Sequence, residues 1–125
     1  MTLKIKAVAG PGNISKERVV LRADQDLDLD NYAIFRCNID RDGDVLSGDV
    51  SDVYWWSTAE IKLGDFVVLY TKKGTRSRKP NADGSTSHFF YWNRADPLWA
   101  SGKRATCVYT PSWSAAPKEP ELPEE

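Results

Sequence analysis

Five cations are packed into the eight residues Lys72-Lys-Gly-Thr-Arg-Ser-Arg-Lys79, and the aromatic run Phe89-Phe-Tyr-Trp92 follows them. Cations hold phosphate and exposed rings stack on bases. Lys72, Lys73, Arg76, Arg78 and Lys79 are therefore the side chains with which this chain would grip nucleic acid. The competing reading makes the same cations a solvated hairpin loop that keeps a hydrophobic strand pair soluble, with the rings in the core. A net charge of −1 and the strand setting of the aromatics favour that second reading. The other binding candidate is Tyr54-Trp55-Trp56. Successive strand residues point to opposite faces, so Trp55 and Trp56 cannot share one. Either one of them is a platform for a protein or sugar, or the two serve as core and rim cover.

Metal and catalytic chemistry find less support. Asp40-Arg-Asp-Gly-Asp44 has carboxylates at alternate positions, as a calcium loop does, but the glycine and glutamate that an EF-hand needs further on are Val45 and Ser51. The segment reads instead as an Asp-Gly hairpin turn with solvated acids. Asp24, Asp26, Asp28 and Asp30 would add ligands only by folding beside it. His88, the single histidine, has no cysteine at metal-ligand spacing and reads as a strand-end residue. Ser85, Thr86 and Ser87 lack the strained turn and oriented base of a nucleophile, and scattered carboxylates do not make an acid–base pair. Cys37 and Cys107 form no C-x-x-C pair. They read as buried thiols, with an inter-sheet disulfide as the alternative in an oxidising compartment. The expectation is a protein that is not an enzyme, with no catalytic residues, no metal and no cofactor.

The elements that position these residues are strands. At 125 residues, 41% hydrophobic and 28% charged, the chain has the length and composition of one folded domain. No apolar run approaches the ~20 residues that span a bilayer, so no membrane partner is expected. The stretch from Met1 to Ala9 alternates charged and apolar residues, which reads as a first strand rather than a signal peptide and suggests a cytoplasmic setting. Further strands are expected over 17–23, 32–39, 52–56, 66–71, 88–93 and 104–110, with a single helical turn at 57–60. Leu27 and Leu29 share a face in the acidic stretch between the second and third strands. Pro11-Gly12, Asp42-Gly43, Lys73-Gly74, Asp83-Gly84 and Ser101-Gly102 punctuate the chain at short intervals, the mark of an all-β sandwich or barrel. Eleven acids face three bases over 24–65, and eight bases face two acids over 66–110, an asymmetry that interleaved strands would erase. Residues 114–125 are rich in proline and glutamate and read as a disordered, flexible acidic tail behind a domain of residues 1–113.

With the strands in this order, several segments carry a family resemblance. They are Lys4-Ile-Lys-Ala-Val8, the glutamate-led Glu17-Arg-Val-Val-Leu-Arg-Ala23, the acidic corner Asp28-Leu-Asp-Asn-Tyr-Ala-Ile34, Leu63-Gly-Asp-Phe-Val-Val-Leu69, and Trp92 and Trp99 before Ser101-Gly-Lys-Arg-Ala-Thr-Cys-Val108. Together they resemble the lamin-tail domain, in its bacterial stand-alone form, over roughly residues 3–110. Asn31-Tyr32 stands where the family usually has Gly-Trp, and the loop from Thr75 to Ser87 is longer than usual. The resemblance implies an immunoglobulin-like β-sandwich of about seven to nine antiparallel strands. It also implies a binding or attachment module with no catalytic residues to carry over. The function expected is recognition or assembly with a protein partner. The alternative is nucleic-acid binding through the basic loop 72–79 and its neighbouring aromatics.

Overall fold

A computed structural model describes residues 2–100 and 102–124. The fold is all-β, with 48% of the described residues in strands and no α-helix among them. In order the strands are β1 (Leu3–Ala9), β2 (Arg18–Ala23), β3 (Leu27–Asp28), β4 (Tyr32–Ile39), β5 (Val45–Trp55), β6 (Glu60–Ile61), β7 (Phe66–Tyr70), β8 (Ser77–Pro80), β9 (Thr86–Tyr91) and β10 (Lys103–Tyr109). They form a five-stranded sheet ordered β1-β2-β7-β9-β8, a three-stranded sheet ordered β10-β4-β5, and the small pair β3-β6. One core cluster draws on both larger sheets, with Leu3, Val19, Leu21, Val67 and Leu69 from the first and Tyr32 and Ile34 from the second. Each such aliphatic side chain, fully withdrawn from water, contributes about 1.5–3 kcal/mol. In β2 every second residue is buried. The central strand β7 has Val67, Val68 and Leu69 all buried, as a strand covered on both faces requires.

Local chemistry explains the corners. The β4–β5 hairpin closes at Asp40–Asp44, where one carboxylate oxygen of Asp40 accepts the backbone N–H of both Asp42 and Asp44, and Gly43 takes the left-handed φ of +84° that the turn demands. The helical turn expected at 57–60 does not form. A 3-10 turn occurs at Leu29–Asn31 instead, because Asp28 accepts the N–H of Asp30 and also that of Ala59. The same carboxylate thereby ties β3 to the segment entering β6.

Three expectations are corrected. There are ten strands among the described residues, not seven to nine. The expected hairpin between β7 and the His88 strand is a parallel pair, β7 beside β9. Parallel neighbours cannot be joined by a tight turn, so the chain runs back through the basic segment. Its last three residues, with Pro80, become β8, antiparallel to β9 and closed by the Asp83-Gly84 turn. The alternative of an inter-sheet disulfide also fails. Cys37 pairs with Arg104 and Cys107 with Ile34, so the two free thiols lie three positions apart on adjacent strands of one sheet, too far to bridge. Residues 114–124 are exposed and form no strand or helix.

Glu17 ties these pieces together. Fully buried, it accepts hydrogen bonds from the backbone N–H groups of Gly12, Leu98 and Trp99 and from the Thr71 hydroxyl. Burial alone would raise its pKa, but these donors outweigh it and hold the carboxyl below the usual glutamate range. Glu17→Ala would orphan three buried donors, on Thr71, Leu98 and Trp99, so we expect a loss of roughly 3–5 kcal/mol in the denaturant-unfolding free energy. Because the folded pKa is depressed, the charge contributes its full stability above the unfolded value. That contribution is lost as pH falls below about 4. Unfolding midpoints measured from pH 7 to pH 2 should fall across that window. Glu17→Gln, less stable at neutral pH, should fall less steeply.

Candidate binding surfaces

Strand alternation divides the basic segment between two faces. In β8, Ser77 and Lys79 pair with Phe89 and Ser87, whereas Arg78 pairs with His88. Ser77 and Lys79 therefore share the outer face of the five-stranded sheet with Phe89, while Arg78 points to the side of His88 and the buried Phe90. Arg76 lies on that inner side too, its guanidinium 5.1 Å from the centre of the Phe90 ring. Lys73 stands exposed in the turn before β8. The five cations do not form one patch.

The outer face is a ladder of rings and cations. Cross-strand rows run Lys4–Arg22–Phe66–Ser87–Lys79 and Ala9–Arg18–Tyr70–Tyr91. Arg22 sits 4.9 Å over Phe66, Lys72 4.9 Å and Arg18 5.9 Å over Tyr70, and Tyr70 stacks on Tyr91 at 5.4 Å. Gly74 lies so close to Tyr91 that a Cβ there would come within 2.3 Å of the ring. The rings thus face cations, each other and backbone, leaving little open face for a base to stack on. Arg18 and Arg22 alternate with the core residues Val19, Leu21 and Ala23, a period-two signal present in the sequence but overshadowed by the denser run at 72–79.

The tryptophan pair separates as alternation requires. Trp56 is 2% exposed and packs against Tyr54 and Phe90, within a column of rings that continues to Trp92 and Trp99. It is core, so Trp56 offers no surface to a ligand. Trp55 is 48% exposed and meets Trp113 edge to face at 5.1 Å, while its indole N–H donates to the Asp30 carbonyl at 2.7 Å. With Ala33, Phe35, Val53, Thr110 and Ser112 these two rings line a cleft of about 270 Å³. Trp113 and Phe35 are the residues that sequence reading missed. Trp113 carried no signal because nothing local shows that the chain after β10 turns back across β4 and β5.

The remaining polar residues are engaged with one another. Asp52 accepts from Arg36 and from Arg94, each at 3.0 Å, and Arg36 also donates to the Leu98 carbonyl. Burial pushes the Asp52 pKa up, but the two guanidiniums outweigh it and the net shift is downward. His88 is buried, not a strand-end residue on the surface. Its Nε2 lies 2.9 Å from Asp65 Oδ2, and that carboxylate also accepts the N–H groups of Lys62 and Thr86. Desolvation raises the Asp65 pKa, and the His88 and backbone donors bring it below normal. Burial pushes the Cys107 thiol up to about 12, far from the thiolate a nucleophile needs. Among the described residues no three His, Cys, Asp or Glu side chains are grouped to hold a metal ion.

No protein-family model matches the chain, and no curated protein matches it either. The two tryptophans give the surface assignment a direct check. Trp56→Ala should cost about 3–5 kcal/mol by core truncation, whereas Trp55→Ala should cost less than about 1.5 kcal/mol, a rim contact and one hydrogen bond. Chemical denaturation of the two variants compares them.

Proposed function

We propose that this chain is a non-catalytic recognition module that takes an extended, apolar segment of a protein partner along β5. One observation carries the reading: β5 is both the edge of its sheet and the floor of the Trp55–Trp113 cleft. An edge strand presents a row of unpaired N–H and C=O groups to an incoming strand. Val53 and Trp55 alternate along β5 with half-buried neighbours and are 51% and 48% exposed. A bound segment would hydrogen-bond to the free edge and set an alternate apolar side chain between Trp55, Val53 and Trp113. Large exposed rings at a rimmed cleft are the usual anchors of such interfaces.

The same proposal includes the finer architecture, an immunoglobulin-like sandwich of lamin-tail type. It is supported by the two sheets that share one core and by the place of Glu17, which leads β2 as the family's glutamate does. β8, which lies within the long Thr75–Ser87 loop, would then be an addition to that fold. A cytoplasmic location belongs to this reading as well.

The second reading, nucleic-acid binding, is favoured by the cations Arg18, Arg22, Lys72 and Lys79 on one sheet face. With the ring faces covered, it would rest on phosphate contacts and not on stacking. Both readings are tested by amide NMR mapping on the whole chain, using peptides selected from a random display library and then a single-stranded and a double-stranded oligonucleotide. The expected result is a peptide whose binding shifts amides of residues 50–55 and the indoles of Trp55 and Trp113, and which Trp55→Ala weakens. Oligonucleotide binding that maps to Arg18, Arg22 and Lys72, with a log–log salt slope of about 0.7–0.9 per phosphate contact, would replace the protein reading with the nucleic-acid one. Peptides that map elsewhere on the surface would refute it.

A further inference from the structure

The inner cations of the basic segment border a cleft that neither binding surface uses. Its two adjoining parts, about 340 and 610 Å³, share Glu60, Arg78 and His88. The first adds Lys62, Asp65, Pro80 and Thr86, and the second Thr58, Ala59, Arg76 and Ser77. Such volumes suit a small ligand. The floor is pre-organised. An ionised carboxylate only accepts hydrogen bonds, so Asp65 fixes the proton of His88 on Nε2. Nδ1 is left without a protein partner among the described residues. Asp65 is itself saturated by Lys62, Thr86 and His88, so its charge is already answered.

The walls carry unanswered positive charge. Arg36 and Arg94 are consumed by Asp52, but Arg76 and Arg78 have no carboxylate within 4.0 Å among the described residues. Glu60 is the one other acid on the cleft and pairs with neither. Lys62 leans away, its ammonium 3.9 Å from Asp26. Arg76 is braced on the Phe90 ring, which restricts a side chain that would otherwise lose rotamer freedom on binding. Arg76 and Arg78 line the same cleft as His88, and two guanidinium forks suit the several oxygens of a phosphate group better than a single-point anion.

We propose that this cleft binds a small phosphomonoester. Arg76 and Arg78 would donate to its oxygens, and the P–OH of its monoanion would donate to His88 Nδ1, which only accepts while Nε2 carries the proton. The inference is independent of the peptide reading, because it uses the other sheet and none of the same residues.

Since His88 is the only histidine, its ring signals report on this cleft without ambiguity. The experiment titrates the intact chain with inorganic phosphate and with phenyl phosphate, following the imidazole by NMR, with sodium chloride at matched ionic strength as control. Both phosphates should give saturable shifts that chloride does not, with the ester binding at least as tightly. In Arg76→Ala/Arg78→Ala the affinity should drop by about tenfold or more while the backbone spectrum elsewhere stays unchanged. Arg78→Ala alone, which keeps the Arg76–Phe90 contact, should show an intermediate loss. The absence of saturable shifts, or equal shifts in the double variant, would overturn the site. Binding of inorganic phosphate with exclusion of phenyl phosphate would overturn the ester assignment and leave an anion pocket only.

Discussion

A single buried carboxylate organises this fold. Glu17 precedes β2, and its four donors come from the β1–β2 turn, the end of β7 and the irregular segment before β10. No cation pairs with it among the described residues; neutral donors alone hold the charge. Such an arrangement is intolerant of partial occupancy, since each missing donor exposes a buried charge and each missing charge orphans several donors. It therefore couples three separate stretches of chain into one cooperative unit. Arg36 adds a second tie to the same place by donating to the Leu98 carbonyl, so the Leu98–Trp99 segment is gripped at its N–H groups by one side chain and at a carbonyl by another. Asp65 plays the same part at the other end of β7. Irregular backbone stays buried in this protein because side chains supply what a ladder would.

The parallel pairing of β7 and β9 shapes the surfaces. Had the two strands formed a hairpin, the basic segment would have been an exposed tip with its five cations free to converge. Running back to form β8 instead, the segment is subjected to alternation. Lys79 joins a face already occupied by Arg18, Arg22 and a ladder of rings, and Arg78 turns toward His88. The same step buries His88 against Asp65. One topological choice thus removes the compact basic patch and builds a lined cleft in its place.

Much of the architecture was legible because period-two burial is written locally. The bounds of β4 agree with Tyr32–Ile39 as read from sequence, and β1, β2, β7 and β10 differ from expectation by a residue or two. Asp-Gly turns did what their φ preferences require. What stayed hidden was long-range. The pairing direction of β7 and β9 depends on a crossover that no window of sequence encodes. β8 is four exposed residues, Ser-Arg-Lys-Pro, with no apolar alternation to mark it as a strand. The Asp65–His88 pair joins residues 23 positions apart, and each alone looks like an ordinary turn acid or strand histidine. For the sites, alternation said that Trp55 and Trp56 must part but could not say which goes inside; that depended on where Tyr54, Phe90 and Trp92 gather.

The arginines show how the fold decides which charges remain for function. A guanidinium can be spent on a carboxylate, on a ring face, or on backbone carbonyls. Arg36 and Arg94 are spent on Asp52, and Arg22 on Phe66 and the Gly64 carbonyl at 3.3 Å. Arg18 lies near Tyr70 and donates to the Lys16 carbonyl at 2.8 Å. Those contacts make the outer sheet face basic in composition but poor in free donors, which weakens it as a phosphate grip even though its cation count is high. Arg76 is different, because a ring beneath a guanidinium engages its plane and leaves the N–H edge open. Arg78 has neither ring nor carboxylate among the described residues. Free donors, not total charge, set where an anion can be held, and the fold leaves them beside His88.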